Sequence, residues 1–280
     1  MATKNKGVPD ARTETKERLF KFWDKSVGYF DTAHETNAEM SDERLKIFSL
    51  IPRGSHVLDV ACGTADNGQH LVKEHGCRYT GVDISRAALK IANKFKSPKF
   101  KVLRGDVAKL PFKDASFDAV ISTYSLEHFL EPEAIFAEMV RVVKKGGRII
   151  LAAPAFEFPI GVPPSVGAKA KDPLWRLRYT LGKLVWDFKS WADGSKAHFY
   201  LITDPSVLEG EYTVDNDLTH LVSIREMRKF FLLRGLKEVY RYRLAEKQEH
   251  PLKKAVKHLL TWLLPPYRYA GVHLLVAFEK

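Results

Sequence analysis

A doubly wound α/β sheet, seven-stranded and mostly parallel, with a lid inserted after the fifth strand, is the fold class this sequence predicts. Three observations predict it. Between residues 55 and 154 short apolar runs alternate with segments of helical periodicity, the pattern of consecutive βα units. The first run ends in a turn of small residues, "ACGTADNG", that leads into a helix. Two further β-type runs close the chain, after an interruption between residues 155 and 222.

The elements follow in order. Residues 1–14 are charged, small and polar, and read as a disordered lead-in without the apolar core of a signal peptide. From residue 15 to 50 the pattern is helical. Phe20, Phe22, Trp23, Val27 and Phe30 recur on one face, and a second helix over 43–50 is stopped by Pro52 and Gly54. "HVLDV" is a buried strand, and a helix follows Gly63 through Leu71. "RYTGVDI" is the second strand, after which Ser85 caps a helix carrying Ala88, Ile91 and Ala92. "KFKVLRGD" and "FDAVIST" are the third and fourth strands. Pro132 opens a helix that Gly146 and Gly147 should end, and "RIILAAP" is the fifth strand.

Residues 155–222 show no βα repeat and read as a lid over the strand ends, with residues 15–154 and 223–280 forming the sheet domain. The lid carries Phe156, Phe158, Trp175, Trp186, Trp191 and Phe199, an aromatic cover suited to a hydrophobic or ring-bearing ligand. Arg176, Arg178 and Lys183 within it would suit contact with a membrane face. "SIREMRKFFLLRG" is a capped helix, "LKEVYRYRL" and "VHLLVAFEK" are strands, and residues 252–264 place leucines on one helical face.

Composition narrows the class. Hydrophobic residues make up 45% of the 280, enough for a large core, and no apolar run approaches the ~20 residues of a membrane span. Two cysteines, Cys62 and Cys77, fit a reducing, cytoplasmic setting. The net charge of +11 is dispersed, with basic stretches at 90–101, 169–178 and 253–257. It leaves nucleic acid, an anionic membrane and acidic ligands as candidate partners.

In open parallel sheets ligands bind beyond the carboxyl ends of the strands. Three acids stand there: Asp59 after the first strand, Asp83 after the second and Asp106 after the third. Gly63 lets backbone approach a ligand, and helix N–H groups beyond it suit a carboxylate. Asp83 suits ribose hydroxyls, and Asp106 with Val107 suits an adenine. The turn lacks the G-x-G-x-x-G spacing and the lysine that a pyrophosphate needs, which disfavours a nicotinamide oxidoreductase. The ligand these positions describe is adenosine with an amino-acid tail. No metal site is expected.

The order "VLDVACGTAD", "YTGVDIS", "GDVAKLPF", "FDAVISTYSLEHF", "EMVRVVKKGGRIIL" resembles the class I S-adenosylmethionine-dependent methyltransferases, nearest the branch that methylates quinones, sterols and other small molecules. The resemblance spans residues 55–152 and implies a Rossmann-like methyltransferase sheet and S-adenosylmethionine as cofactor. It assigns Asp59, Ala61 and Gly63 to the methionine end, Asp83 to the ribose, Asp106 and Val107 to the adenine, with Ile84 and, at the fourth strand end, Ser122 also binding the cofactor and Tyr29 closing over the methionine. The family's first and third turn glycines are Ala61 and Ala65 here, a mild cost as long as φ stays negative. His128, in "SLEHF", is the candidate general base; His198, His220 and Asp217 are weaker candidates. The expected activity is methyl transfer to a small, hydrophobic or lipid-like acceptor, with peripheral membrane contact. The competing readings are an RNA methyltransferase, disfavoured by "STYS" where related enzymes carry N-P-P-Y, and a non-catalytic scaffold subunit.

Overall fold

The computed structural model describes residues 11–26, 30, 41–156, 162–210, 212–213, 216–244, 259, 263–264, 266 and 273–280. Two helices come first, α1 (Ala11–Lys25) and α2 (Asp42–Ser49), the latter capped by the Ser41 hydroxyl, which accepts from Arg44 N–H. Then β1 (His56–Val60), α3 (Asp66–His75), β2 (Arg78–Asp83), α4 (Arg86–Ala92), β3 (Phe100–Arg104), β4 (Phe117–Thr123), α5 (Pro132–Val142) and β5 (Val143–Pro154) alternate. A long helix, α6 (Pro173–Ala192), and a two-stranded antiparallel ribbon, β6 (Tyr200–Leu201) with β7 (His220–Leu221), follow. The chain ends in α7 (Ile224–Leu232), β8 (Lys237–Leu244) and β9 (His273–Glu279).

Seven strands form one sheet in the order β3-β2-β1-β4-β5-β9-β8. β1 to β5 run parallel, while β9 is antiparallel to both neighbours. The order reverses between β1 and β4, so a crevice opens at their carboxyl ends. Alternate residues of each central strand feed two apolar layers. Leu58, Val60 and Val120 pack with Phe136, Phe231 and Phe278 on one face; Val57, Tyr79 and Ile121 pack with Ile150 and Ala277 on the other.

Several boundaries differ from the sequence expectations. α1 starts at Ala11, inside the stretch read as a lead-in. α5 ends at Val142, ahead of the glycine pair. Val143 is already extended and pairs with Phe117, and the glycines instead turn the chain within β5. Gly146 has φ +75°, and a Cβ on Gly147 would meet the Asp118 carbonyl oxygen at 2.8 Å. Lys183, expected at a membrane face, is buried: its ammonium binds both carboxylate oxygens of Asp187, at 2.9 and 2.7 Å. Most of 252–264, and Tyr29 and Phe158, lie outside the described residues.

Candidate functional site

The crevice is a cavity of about 180 Å³ between α1 and the ends of β1 to β4. Ala61 and Gly63 from the first turn, Asp83 and Ile84 from the second strand end, and Asp106 and Val107 from the third all line it, together with His128. Gly63 has φ +52°, and a Cβ there would meet no atom within 4 Å, so its turn faces open space.

Asp83 is the hub. One carboxylate oxygen accepts from Gly63 N–H at 2.8 Å and the other from Ser85 N–H at 2.8 Å. The side chain thereby fixes the glycine turn against the start of α4, and each oxygen keeps a lone pair for a ligand hydroxyl. Burial raises its pKa from the ordinary carboxylate value, against backbone donors that pull it down. Asp106 fixes its own loop by accepting from Ala108 N–H at 2.9 Å, and its second oxygen is 2.7 Å from the ammonium of Lys16.

Two assigned residues stand behind the lining. Asp59 is buried and accepts from the Tyr79 hydroxyl at 2.9 Å. Burial pushes its carboxyl up to about 7, with the Tyr79 hydrogen bond opposing. Ser122 donates to the Val60 carbonyl at 2.8 Å and shares a 2.7 Å hydrogen bond with Ser125, which does line the cavity. Both residues hold the site's frame from within the sheet.

His128 sits in a 3₁₀ turn, Leu126–His128, after β4. Its Nδ1 is 3.4 Å from a carboxylate oxygen of Asp217, which also accepts from Trp23 Nε1–H at 2.9 Å. The segment bearing Asp217 is pinned to that turn, since Thr219 N–H donates to the Glu127 carbonyl at 2.8 Å. A carboxylate placed behind an imidazole fixes the orientation of the ring. His220 is buried beside Leu126, its Nδ1 3.0 Å from that carbonyl oxygen, and burial lowers it to about 4. His198 pairs with Asp193 at 2.6 Å, away from this cavity.

The cover is not the one expected. Among the described residues no aromatic of 155–222 lines the cavity; Phe20, Trp23 and Phe30 from the N-terminal segment do, with Phe129. Lys16, Arg44, Asn67 and Tyr124 also line it and were not singled out in the sequence. For Lys16 and Arg44 the signal was weak, because α1 and α2 reach the crevice from outside the βα repeat. Burial lowers Arg44 from its usual value, with Asp66 and Glu43 among the groups opposing that. The donor set therefore offers carboxylates to hydroxyl and amine groups, apolar side chains to a ring, and backbone N–H groups and a guanidinium to a carboxylate. These are the partners an adenosyl amino acid needs. Burial keeps Cys62 a thiol, packed where a Cβ on Gly81 would collide with it. No cluster of candidate metal ligands occurs among the described residues.

Residues 58–151 match a family model described as a methyltransferase domain. A demethylmenaquinone methyltransferase of Paenarthrobacter aurescens is 34% identical over 127 residues, which cover 45% of this chain and 44% of that protein. A sterol 24-C-methyltransferase of Gibberella zeae is 37% identical over 102 residues, covering 35% of this chain and 27% of that protein. The chain thus spans less than half the length of these relatives. Among solved structures, an S-adenosylmethionine-dependent methyltransferase from Mesorhizobium loti superposes with TM-score 0.55 at 13% identity, covering 86% of this chain and 98% of that one. One from Methanosarcina mazei gives TM-score 0.52 at 17% identity, covering 86% and 98%. These two likenesses concern the fold.

Proposed function

We propose, from the match of residues 58–151 to a methyltransferase domain, that the chain moves a methyl group from S-adenosylmethionine to a small, hydrophobic or ring-bearing acceptor by in-line displacement. The observation that carries the reading is the convergence of Gly63, Asp83 and Asp106, from three neighbouring strand ends, on one cavity with His128. Asp83 would hold the ribose hydroxyls, and Asp106 with Ile84 and Val107 the adenine. The Gly63 turn and Arg44 would hold the amino-acid end, with Asp59 and Ser122 bracing that turn from behind.

When bound, the sulfonium cofactor supplies an electrophilic methyl. The chain's own residues then have three tasks. The walls of the crevice align the acceptor, and alignment is worth up to ~7–11 kcal/mol of barrier. Phe20, Trp23 and Phe30 exclude water from the reacting centre. His128, oriented through Nδ1 by Asp217, takes the acceptor's proton where the acceptor must lose one, a contribution of ~10²–10⁴ in rate. The named relatives act on a quinone ring and a sterol, which supports a lipid-like, ring-bearing acceptor. Free Cys62 and Cys77 support a cytoplasmic setting.

Calorimetric titration with S-adenosylhomocysteine tests the cofactor site. Binding is expected, and Asp83→Ala should weaken it about 10–100-fold, the cost of a charged hydrogen-bonding partner. Incubation with methyl-labelled S-adenosylmethionine and cell extract then tests the acceptor. Label in the lipid fraction supports the reading, label in RNA replaces it with the RNA-methylating one, and no turnover by a cofactor-binding protein leaves a scaffold.

A further inference from the structure

α6 is amphipathic with the wrong side out. Its buried positions are Lys183, Asp187 and Ser190. Its exposed positions are Leu174, Leu177, Leu181, Val185, Phe188 and Trp191, each 38–55% accessible. The spacing of these six keeps them on one face along the whole helix, about 30 Å at ~1.5 Å per residue.

The inward face is a polar lock. Lys183 binds Asp187; Arg225 of α7 reaches Asp187 at 3.5 Å and Glu226 at 2.7 Å; Ser190 donates to Glu226 at 2.7 Å. Lys229 of α7 donates to the carbonyls of Ser190 and Asp193. Charged groups taken out of water require such mutual pairing. The lock fixes the rotation of α6 about its axis, so the apolar stripe faces outward by construction. A contiguous exposed apolar face of this length marks an interaction surface.

We propose that this face of α6 docks the protein on an anionic lipid surface. Charge selects that occupant. Within the twenty residues of α6 the single acid, Asp187, is buried and paired. Arg178 and Lys189 lie beside the stripe, one turn from Leu174 and Val185, and exposed Lys171 and Lys196 lie just beyond its ends; of the acids there, Asp172 caps the helix by accepting from Leu174 N–H and Asp193 pairs with His198. An apolar strip with cationic flanks and an interfacial tryptophan is the arrangement that lies in a headgroup layer. Two-fold pairing with a second copy would set those same cations against each other. No helix among the described residues is long and apolar enough to cross a membrane, so the contact is along the surface. This surface is separate from the methyl-transfer crevice, and its assignment does not depend on that chemistry.

The test is co-sedimentation of the full chain with phosphatidylcholine vesicles containing phosphatidylglycerol, against pure phosphatidylcholine vesicles. The wild type should pellet with the anionic vesicles and do so less as salt rises. The triple variant Leu177→Glu, Leu181→Glu, Phe188→Glu should pellet at least about tenfold less, with an unchanged circular dichroism spectrum because all three positions are exposed. Arg178→Glu with Lys189→Glu should remove the preference for anionic vesicles. A wild type that stays in the supernatant, or a triple variant that pellets equally, overturns the proposal. So does self-association in sedimentation equilibrium that the triple variant abolishes without any vesicle binding, which assigns the face to a second copy. S-adenosylhomocysteine titration of the triple variant keeps this outcome apart from the fate of the cofactor site: its affinity should match the wild type whichever way the vesicles read.

Discussion

The ammonium of Lys16 stands 2.7 Å from a carboxylate oxygen of Asp106 and also hydrogen-bonds Glu131, so α1 is tied to the third strand end and to the start of α5 at one point. Burial pulls the lysine's proton affinity down, but the two carboxylates more than restore it, and the net shift is upward. On the other side of the crevice, Trp23 donates to Asp217 and its carbonyl accepts from Ser85 Oγ. Those ties make α1 the cover of the cavity. Lys16→Met is expected to speed amide hydrogen exchange along Ala11–Lys25. The pair is partly exposed, so global stability should change by no more than ~1 kcal/mol. Unchanged exchange would mean that the Trp23 side alone holds the helix.

The His128–Asp217 pair makes a second prediction. Asp217→Asn keeps an oxygen for Trp23 but removes the charge behind the imidazole. With an acceptor that loses a proton, turnover should fall ~10²-fold or more, and His128→Gln should fall comparably, because the two act as one unit. S-adenosylhomocysteine affinity should stay within a few-fold for both. Pre-steady-state methyl transfer followed against pH is the measurement; a histidine limb that persists in His128→Gln removes the base assignment.

Much of this was legible in the sequence. The alternation of β-branched runs with capped helices gave the five parallel strands, because a buried strand and an amphipathic helix each advertise their environment in residue type. Ser85 and Ser223 cap their helices through side-chain acceptance from Ala88 and Glu226 N–H, as their position before apolar helices indicated. Asp83 and Asp106 were singled out by their recurrence at successive strand ends, and both line the crevice. What stayed hidden depends on long-range packing. Arg44 and Lys16 lie on ordinary amphipathic helices, and nothing local says that those helices roof the crevice. The aromatics of 155–222 were assigned to the cavity because aromatic density is a weak guide to which side of a helix faces in. The polar lock that turns α6 outward needs Arg225 and Glu226, far along the chain.

Backbone conformation was also invisible. Ala61 and Ala65 both have φ +58°, so the condition under which alanine is a mild replacement for the family's glycines is not met. A left-handed alanine costs ~1–2 kcal/mol, of which glycine's greater unfolded freedom returns ~0.5–1. Ala61→Gly, at the position of the two that is only partly buried, should therefore stabilise the protein by about 0.5–1 kcal/mol and raise the thermal midpoint by ~2 °C. A lower midpoint would show that the turn stores no strain there.

Asp59 and His220 set opposed pH dependences. Asp59 is raised in the folded state to about 7 from an unfolded value of ~3.9. The stability this gives is full below pH ~4 and is lost as pH rises through 7, because the unfolded chain releases the proton first. His220 is lowered to about 4 from ~6.5, so its contribution is present above pH ~6.5 and is lost as pH falls through 4. Across that shared window the two slopes offset one another. Asp59→Asn keeps an acceptor for the Tyr79 hydroxyl and removes one slope. Urea unfolding of the variant between pH 4 and 7 should show stability climbing more steeply with pH than in the wild type. At pH 8 the variant should be at least as stable, since no buried carboxylate is then forced to ionise. Parallel curves for the two proteins would mean that Asp59 ionises no differently in the folded chain than in the unfolded one.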